Sequence, residues 1–349
     1  MSDPEKKPAK PTRRRYLVLI GAIILVMAGW SAAWAYGRSV LADQIDLQMK
    51  SIARNGLEVS CADLAIAGYP FRYEVYCRDL VSRDRRGAAG SLGALNAVAL
   101  IYNPWHIILE AKAPAAIAEP LSGLLGEVRW ETARASIKFS DTSLGAFDAV
   151  LQKPEAAFEN AASEGLFAAD KAEVHLRTTP EQTDAVDSFV SVDALQLKSI
   201  PELGEKIDMR GHLQVSGGSA LLAGANLASL VQAYDGQLPV KLVLLETVIG
   251  KSSLGAAGDL VVNGDGTLSG RLDVTIGNAD GLLSALKPLF PPQGDSYALV
   301  QNVIQSLKAA ETEVNGVRSI ALPVTIERGV VRVGFLPLGR VPPLYAAGT

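Results

Sequence analysis

Three histidines, two cysteines and a Gly-Lys-Ser tripeptide are the residues of this chain that invite a chemical reading. Metal ligation and general-base catalysis ask for imidazoles at short spacing, or beside carboxylates and thiols. His106, His175 and His212 show no such spacing. His175 and His212 fall on the polar sides of alternating segments and read as surface residues, while His106 follows Pro104-Trp105 and reads as a packing or turn residue. Gly250-Lys251-Ser252 looks like the end of a phosphate-binding loop, but that loop needs a glycine where Leu245 stands. In Gly264-Asp265-Gly266, Ser269 takes the place of the third glycine of a dinucleotide-binding loop. Val261 and Val262 stand where a calcium loop needs carboxylates. Gly90-Ser91-Leu92-Gly93 lacks the spacing of a nucleophile elbow. No catalytic residue, cofactor-binding residue or metal ligand is assigned, no cofactor is implied, and the chain reads as a non-enzyme.

The cysteines carry a different chemistry. Cys61 lies in a partly alternating segment, 57–66, and Cys77 closes a second one, 71–77, with turn-like Ala67-Gly68-Tyr69-Pro70 between them. Folding about Tyr69 sets residues whose numbers sum to 138 opposite each other, and 61 and 77 are such a pair. Opposed residues of an antiparallel pair come within disulfide reach, and an oxidising compartment preserves the bond. A structural disulfide, Cys61–Cys77, is expected. Without C-x-x-C spacing or a neighbouring histidine, redox or zinc chemistry is not.

The compartment follows from the N-terminus. Residues 16–37 are 22 residues without a charge, long enough as a helix to cross the roughly 30 Å hydrocarbon core. Arg13, Arg14 and Arg15 stop this stretch on one side and act as the topology signal. Trp30, Trp34 and Tyr36 sit at the other end, where amphipathic rings favour the headgroup level. The expected topology is a cytoplasmic basic tail (1–15), a transmembrane signal-anchor (16–37) and a translocated remainder in the periplasm. The rival is a signal peptide cleaved after Ala35, but the apolar run is long for one and the two tryptophans crowd the site. The formal charge of −4 divides accordingly, into +4 over residues 1–15 and −8 over the rest. An acidic body excludes nucleic acid as the main partner.

The elements of the body follow from periodicity. Leu41, Ile45, Met49 and Ile52 recur at helical spacing, so 38–56 reads as a helical stalk. Beyond it the period is two: Ala133, Ala135, Ile137 and Phe139; Val174 and Leu176; Leu268 through Ile276; Ile320 through Phe335. Helices are expected at 219–234, at 279–289 behind Asn278 as cap, and at 296–310. The fold class is α+β and β-rich: an N-terminal transmembrane helix, then a curved, mostly antiparallel sheet over 57–349 with a few packing helices. A soft subdivision is expected near 178–187, a polar stretch with Pro180. Residues 211–218 echo 258–265 as Gly-polar-Leu-x-Val followed by turn residues, which would mark a repeated sheet-plus-helix unit.

Several of these tracts together resemble a family of bacterial envelope proteins known only as a domain of unknown function. They are the basic tail and anchor, Gly68-Tyr69-Pro70-Phe71-Arg72, Cys77, Asn103-Pro104-Trp105-His106, the segment 258–272 and Arg328-Gly329-Val330-Val331-Arg332-Val333-Gly334. The segment 258–272 is also similar, more loosely, to AsmA-type proteins. That resemblance implies a β-rich periplasmic body anchored in the inner membrane and a link to envelope lipid homeostasis. The expected partners are the membrane lipid bilayer and a lipid ligand, held in an apolar groove of the sheet. The alternative is a non-enzymatic scaffold that binds another envelope protein through its sheet. Arg83, Arg85 and Arg86 read as a solvated turn, with contact to anionic headgroups as the other reading.

Overall fold

The computed structural model describes residues 12–54, 56–120, 123–140, 143–160, 164–179, 182–223, 225–290, 296–314 and 316–345. Lys6, Lys7 and Lys10 of the basic tail, Asn55 and Pro180 lie outside the described residues. Helix α1 (Thr12–Arg54) is continuous over 43 residues, so the charge-free span and the stalk are one rod. It is long and apolar enough to cross a membrane once. Residues 13–30 are exposed, whereas Ser31, Trp34, Gly37, Leu41, Ile45 and Met49 are half-buried. That spacing of three and four lays one helical stripe along the first strand.

The sheet begins with β1 (Leu57–Ala67), β2 (Arg72–Asp84), β3 (Ala89–Leu100) and β4 (Asn103–Glu119). Next come β5 (Leu124–Arg129) and β6 (Thr132–Ser140), β7 (Ser143–Gln152) and β8 (Glu155–Glu159), β9 (Glu164–Ala168) and β10 (Lys171–Thr179). Each of these pairs is one long strand with a two-residue break. The chain continues through β11 (Gln182–Leu197) and β12 (Ile207–Val215), then α2 (Ser219–Leu222) and α3 (Leu227–Ala233). It ends with β13 (Gln237–Ile249), β14 (Ser252–Asn263), β15 (Leu268–Gly277), α4 (Ala279–Leu286), α5 (Ser296–Leu307), β16 (Thr312–Val314), β17 (Val317–Glu327), β18 (Val330–Val333) and β19 (Leu336–Arg340). Every pairing is antiparallel. With each broken pair counted as one strand, β1 to β15 join sequence neighbours, and β15 reaches β17 across the inserted helices. The result is one long meander.

Cover for this sheet sits at its flanks. Leu230 and Val231 of α3 pack on Leu238 and Val262; Leu282 of α4 packs on Ile207 and Ile249; Ile304 of α5 packs on Ile320. Asn278 caps α4 as expected, its side chain accepting from the Gly281 amide at 3.4 Å. The expected single helix at 219–234 is instead two. Asn226 restarts it as a cap, accepting from the Ser229 amide at 2.7 Å. The 47-residue echo is a likeness of strands alone, because β12 leads into helices and β14 into β15. The glycines of the echo are not equivalent either: a Cβ at Gly258 (φ 155°) would run into the backbone of the facing strand, whereas one at Gly211 would meet nothing. Of the stretch 178–187, Thr178 and Thr179 end β10 and Gln182–Asp187 begin β11, and these two strands pair.

The first hairpin corrects the expected register. Leu57 pairs with Asp84 and Ala67 with Glu74, so partners sum to 141 and Cys61 faces Leu80. The reason is a four-residue loop, Gly68 to Phe71, closed by the Arg72 amide donating to Gly68 O at 3.1 Å. The disulfide forms nonetheless, with Cα atoms 5.7 Å apart. It crosses where Ala62 and Asp79 drop out of the ladder and Asp79 takes a φ of 51°.

Replacing Cys61 and Cys77 together by serine should cost about 3 kcal/mol in denaturant unfolding, the loop-closure value for a loop of this size. Alkylation of the unreduced protein should label neither cysteine. At the breaks, Asp170 accepts from Lys153 Nζ at 2.7 Å and Lys206 Nζ at 3.3 Å, and these lysines hold its carboxyl below the usual carboxylate range. A depressed native pKa adds stability above the unfolded value, and this is lost as pH falls through the folded one. Asp170→Asn should therefore lower Tm slightly at pH 7 and by less at pH 3.

Candidate functional site

Alternation and register give the meander two unlike faces. On one, Ile107, Ile137, Phe147 and Leu176 stand in a row across β4, β6, β7 and β10. Leu109, Ala135, Ala149, Val174 and Val190 form the next row of the same face. These apolar side chains are half-buried, and Val190 is exposed. Helix α1 lies at one flank and α3, α4 and α5 at the other, with α2 over the ends of β7 and β11. Between them the face has a single layer. The accessible surface is 22591 Å², against about 13,600 Å² for a compact monomer of this mass.

This face opens into a cavity of about 790 Å³ at the end of the strands farthest from the Gly68–Phe71 loop. Val81, Ile117, Leu125, Phe158 and Leu166 supply its apolar lining, and Lys198 lies past the end of β11. From β2 to β11 is six strand spacings by way of β3, β4, β5, β8 and β9. Laid flat, that is about 29 Å. Residues from both ends line one cavity, so the sheet curls around it. Small side chains at Ala116, Ala118 and Ala157 are part of the lining, whereas at Gly126 and Gly165 a Cβ would already meet Phe158, Ile117 and Phe167. None of these positions stood out in the sequence as a site. The only signal was the Ala/Gly richness of the 111–118 tract and its neighbours.

The opposite face is polar and gathers the histidines. Ser136, Asp148, His175, Phe189 and His212 stand in one row across β6, β7, β10, β11 and β12. His175 Nδ1 lies 2.8 Å from Asp148 Oδ1, His106 Nε2 lies 2.8 Å from Ser136 Oγ, and His212 Nε2 lies 3.6 Å from Asp187 Oδ1. Asp187 also lies 3.4 Å from Gln214 Nε2 and 3.7 Å from Arg177 Nε. Acyl transfer needs one imidazole bridging a hydroxyl and a carboxylate, with free backbone donors for the oxyanion. Here those contacts are divided between His106 and His175, and the strand amides are spent on the ladder. Among the described residues no group of three or more His, Cys, Asp or Glu side chains is placed to hold a metal ion.

The rejected motifs resolve into turns. Gly250 and Lys251 join β13 to β14, and Ser252 is buried, donating to Asn278 O at 3.2 Å. Thr267 donates to Asp265 through hydroxyl and amide, at 2.6 and 3.0 Å, which holds that carboxyl below its usual range and closes the β14–β15 hairpin. Arg83, Arg85 and Arg86 surround the β2–β3 turn at the far end of α1, where Arg85 donates to Arg54 O at 2.9 Å. They therefore lie at the Arg54 end of α1, 24 residues beyond Trp30 along the helix.

Compared with known proteins, residues 34–342 match a family described as an uncharacterized protein conserved in bacteria (DUF2125). The chain belongs to that family. No curated protein and no solved structure matches it, and nothing in these findings carries the likeness to AsmA-type proteins.

The divided histidine contacts lead to a direct expectation. A fluorophosphonate probe should leave Ser136 unlabelled at neutral pH, as read by peptide mass spectrometry; a covalent adduct on Ser136 would show an activated hydroxyl.

Proposed function

We propose that this is a non-enzymatic envelope protein, anchored in the inner membrane with its body in the periplasm, that holds lipid acyl chains along its half-covered apolar face. The observation that carries the reading is the run of apolar rows between α1 and the helices of the other flank, opening into the 790 Å³ cavity. That volume lies in the range of ligand pockets, which are mostly apolar with few polar groups. Glu127, Lys198 and Ser199 are among its polar residues. The placement in the periplasm rests on Arg13, Arg14 and Arg15 before the apolar span, by the positive-inside rule.

A second reading keeps the protein as a scaffold. β19 is the last strand of the meander, all five of its residues are exposed, and Phe335 beside it is 97% exposed. A partner could add a strand at that edge. Pro337 lies on it and blunts pairing, so the lipid reading is preferred.

Lipid extraction and native mass spectrometry of the purified full-length protein separate the two. Bound phospholipid that survives delipidating washes is expected. Leu125→Asp with Leu166→Asp should remove it while leaving Tm within a few degrees, because both side chains are already exposed. A lipid-free body that crosslinks in cells to one stoichiometric protein would sink the lipid reading.

A further inference from the structure

The contacts of α1 do not begin where the charge-free span ends; they begin inside it. Trp30 Nε1 donates to Pro70 O at 2.9 Å, Trp34 Nε1 donates to Arg72 O at 3.1 Å, and Ser31 Oγ lies 2.8 Å from the Tyr69 hydroxyl. Trp30 is seven residues before Gly37, the last uncharged position, so about 10 Å of apolar helix lies alongside the sheet. Residues 16–29, the uncharged part free of the body, make only about 21 Å of helix, short of the roughly 30 Å core. The deficit is made up if the loop between β1 and β2 shares the bilayer with the helix. That loop carries the residues such a position favours. Tyr69 is 53% and Phe71 63% exposed. The next hairpin tip, tied to the first by the Ile101 amide donating to Phe71 O at 3.1 Å, adds Tyr102 at 77% and Trp105 at 60% exposed. Arg38 and Arg72 follow immediately on the outer side, Arg38 Nε donating to Ile66 O at 3.0 Å. Aromatic rings with cations just beyond them are the pattern of the lipid headgroup layer.

We infer that the β1–β2 and β3–β4 tips are seated in the outer interfacial layer of the bilayer that α1 crosses, so that the helix and the two tips together fix the sheet upright on the membrane. This rests on α1 being a membrane span. In that position the tip end of the apolar face meets lipid. The cavity end, near Arg54 and about 36 Å along the helix from Trp30, stands away from it.

The test uses full-length protein in phosphatidylethanolamine–phosphatidylglycerol vesicles whose acyl chains are brominated near the headgroup. Three variants each keep one tryptophan, Trp30, Trp105 or Trp130, with the other three of the four replaced by phenylalanine. Trp130 is the internal control, half-buried in the β5–β6 break with its Nε1 donating to Ala111 O at 3.0 Å. Trp30 and Trp105 should both be quenched, and Trp130 should not. Quenching of Trp30 with Trp105 no more affected than Trp130 overturns the seating and leaves the anchor standing. An unquenched Trp30 removes the anchor and the inference with it. To guard against misfolded variants, a benzophenone amino acid in place of Tyr102 in the otherwise unaltered chain should photocrosslink to phospholipid. Absence of that adduct, with the Cys61–Cys77 bond intact, counts against the seating.

Discussion

A meander in which each strand pairs with its neighbour in sequence has one apolar face that its own hydrogen bonds do nothing to hide. Everything else in this molecule answers that constraint. Burial of a Leu, Ile or Val side chain is worth roughly 1.5–3 kcal/mol when complete. α3, α4 and α5 secure that value for Leu238, Val262, Ile249 and Ile320 by supplying a second layer. Across β4 to β11 the corresponding residues collect only part of it, being half-buried. The middle of the sheet is thus held by its ladder and its curvature more than by a closed core.

The same constraint disposes of the polar face. Charged side chains there are matched across strands: Lys171 sits beside Asp193, Arg210 beside Glu246, and Asp148 beside His175. These are exposed pairs, which steady the register and prevent like charges from facing each other rather than adding much stability. The serine and histidine contacts of this face belong to that lattice.

Much of this architecture was legible in the sequence because alternation is a direct record of which side of a strand meets water. The strands around 133–139, 173–177, 268–276 and 320–326 and the cap at Asn278 were readable in that way. The register of the first hairpin was not, because a loop four residues long shifts every pair without altering the alternation on either strand. The break at Asn226 was hidden as well: a capping residue inside an apolar helix-like run reads as helix until the chain turns. The cavity was the least visible feature. It is lined by small side chains such as Ala116, Ala118 and Ala157, and a short side chain leaves no periodicity.

On the proposed function, the energetics of acyl transfer favour an open face over a sealed pocket. A chain gives up about 0.8 kcal/mol for each methylene it brings out of hydrocarbon into water. A site detached from the membrane would face that cost over many methylenes before returning any of it. A face continuous with the bilayer replaces one apolar contact by another as each methylene advances, so no step exposes more than a short segment. That requires the apolar rows to start at the lipid surface, and the contacts of Trp30 and Trp34 with the first hairpin supply the necessary rigid mounting. A flexible tether after residue 37 would leave the sheet free to tumble. The unbroken helix to Arg54, striped onto β1 by Leu41, Ile45 and Met49, does not.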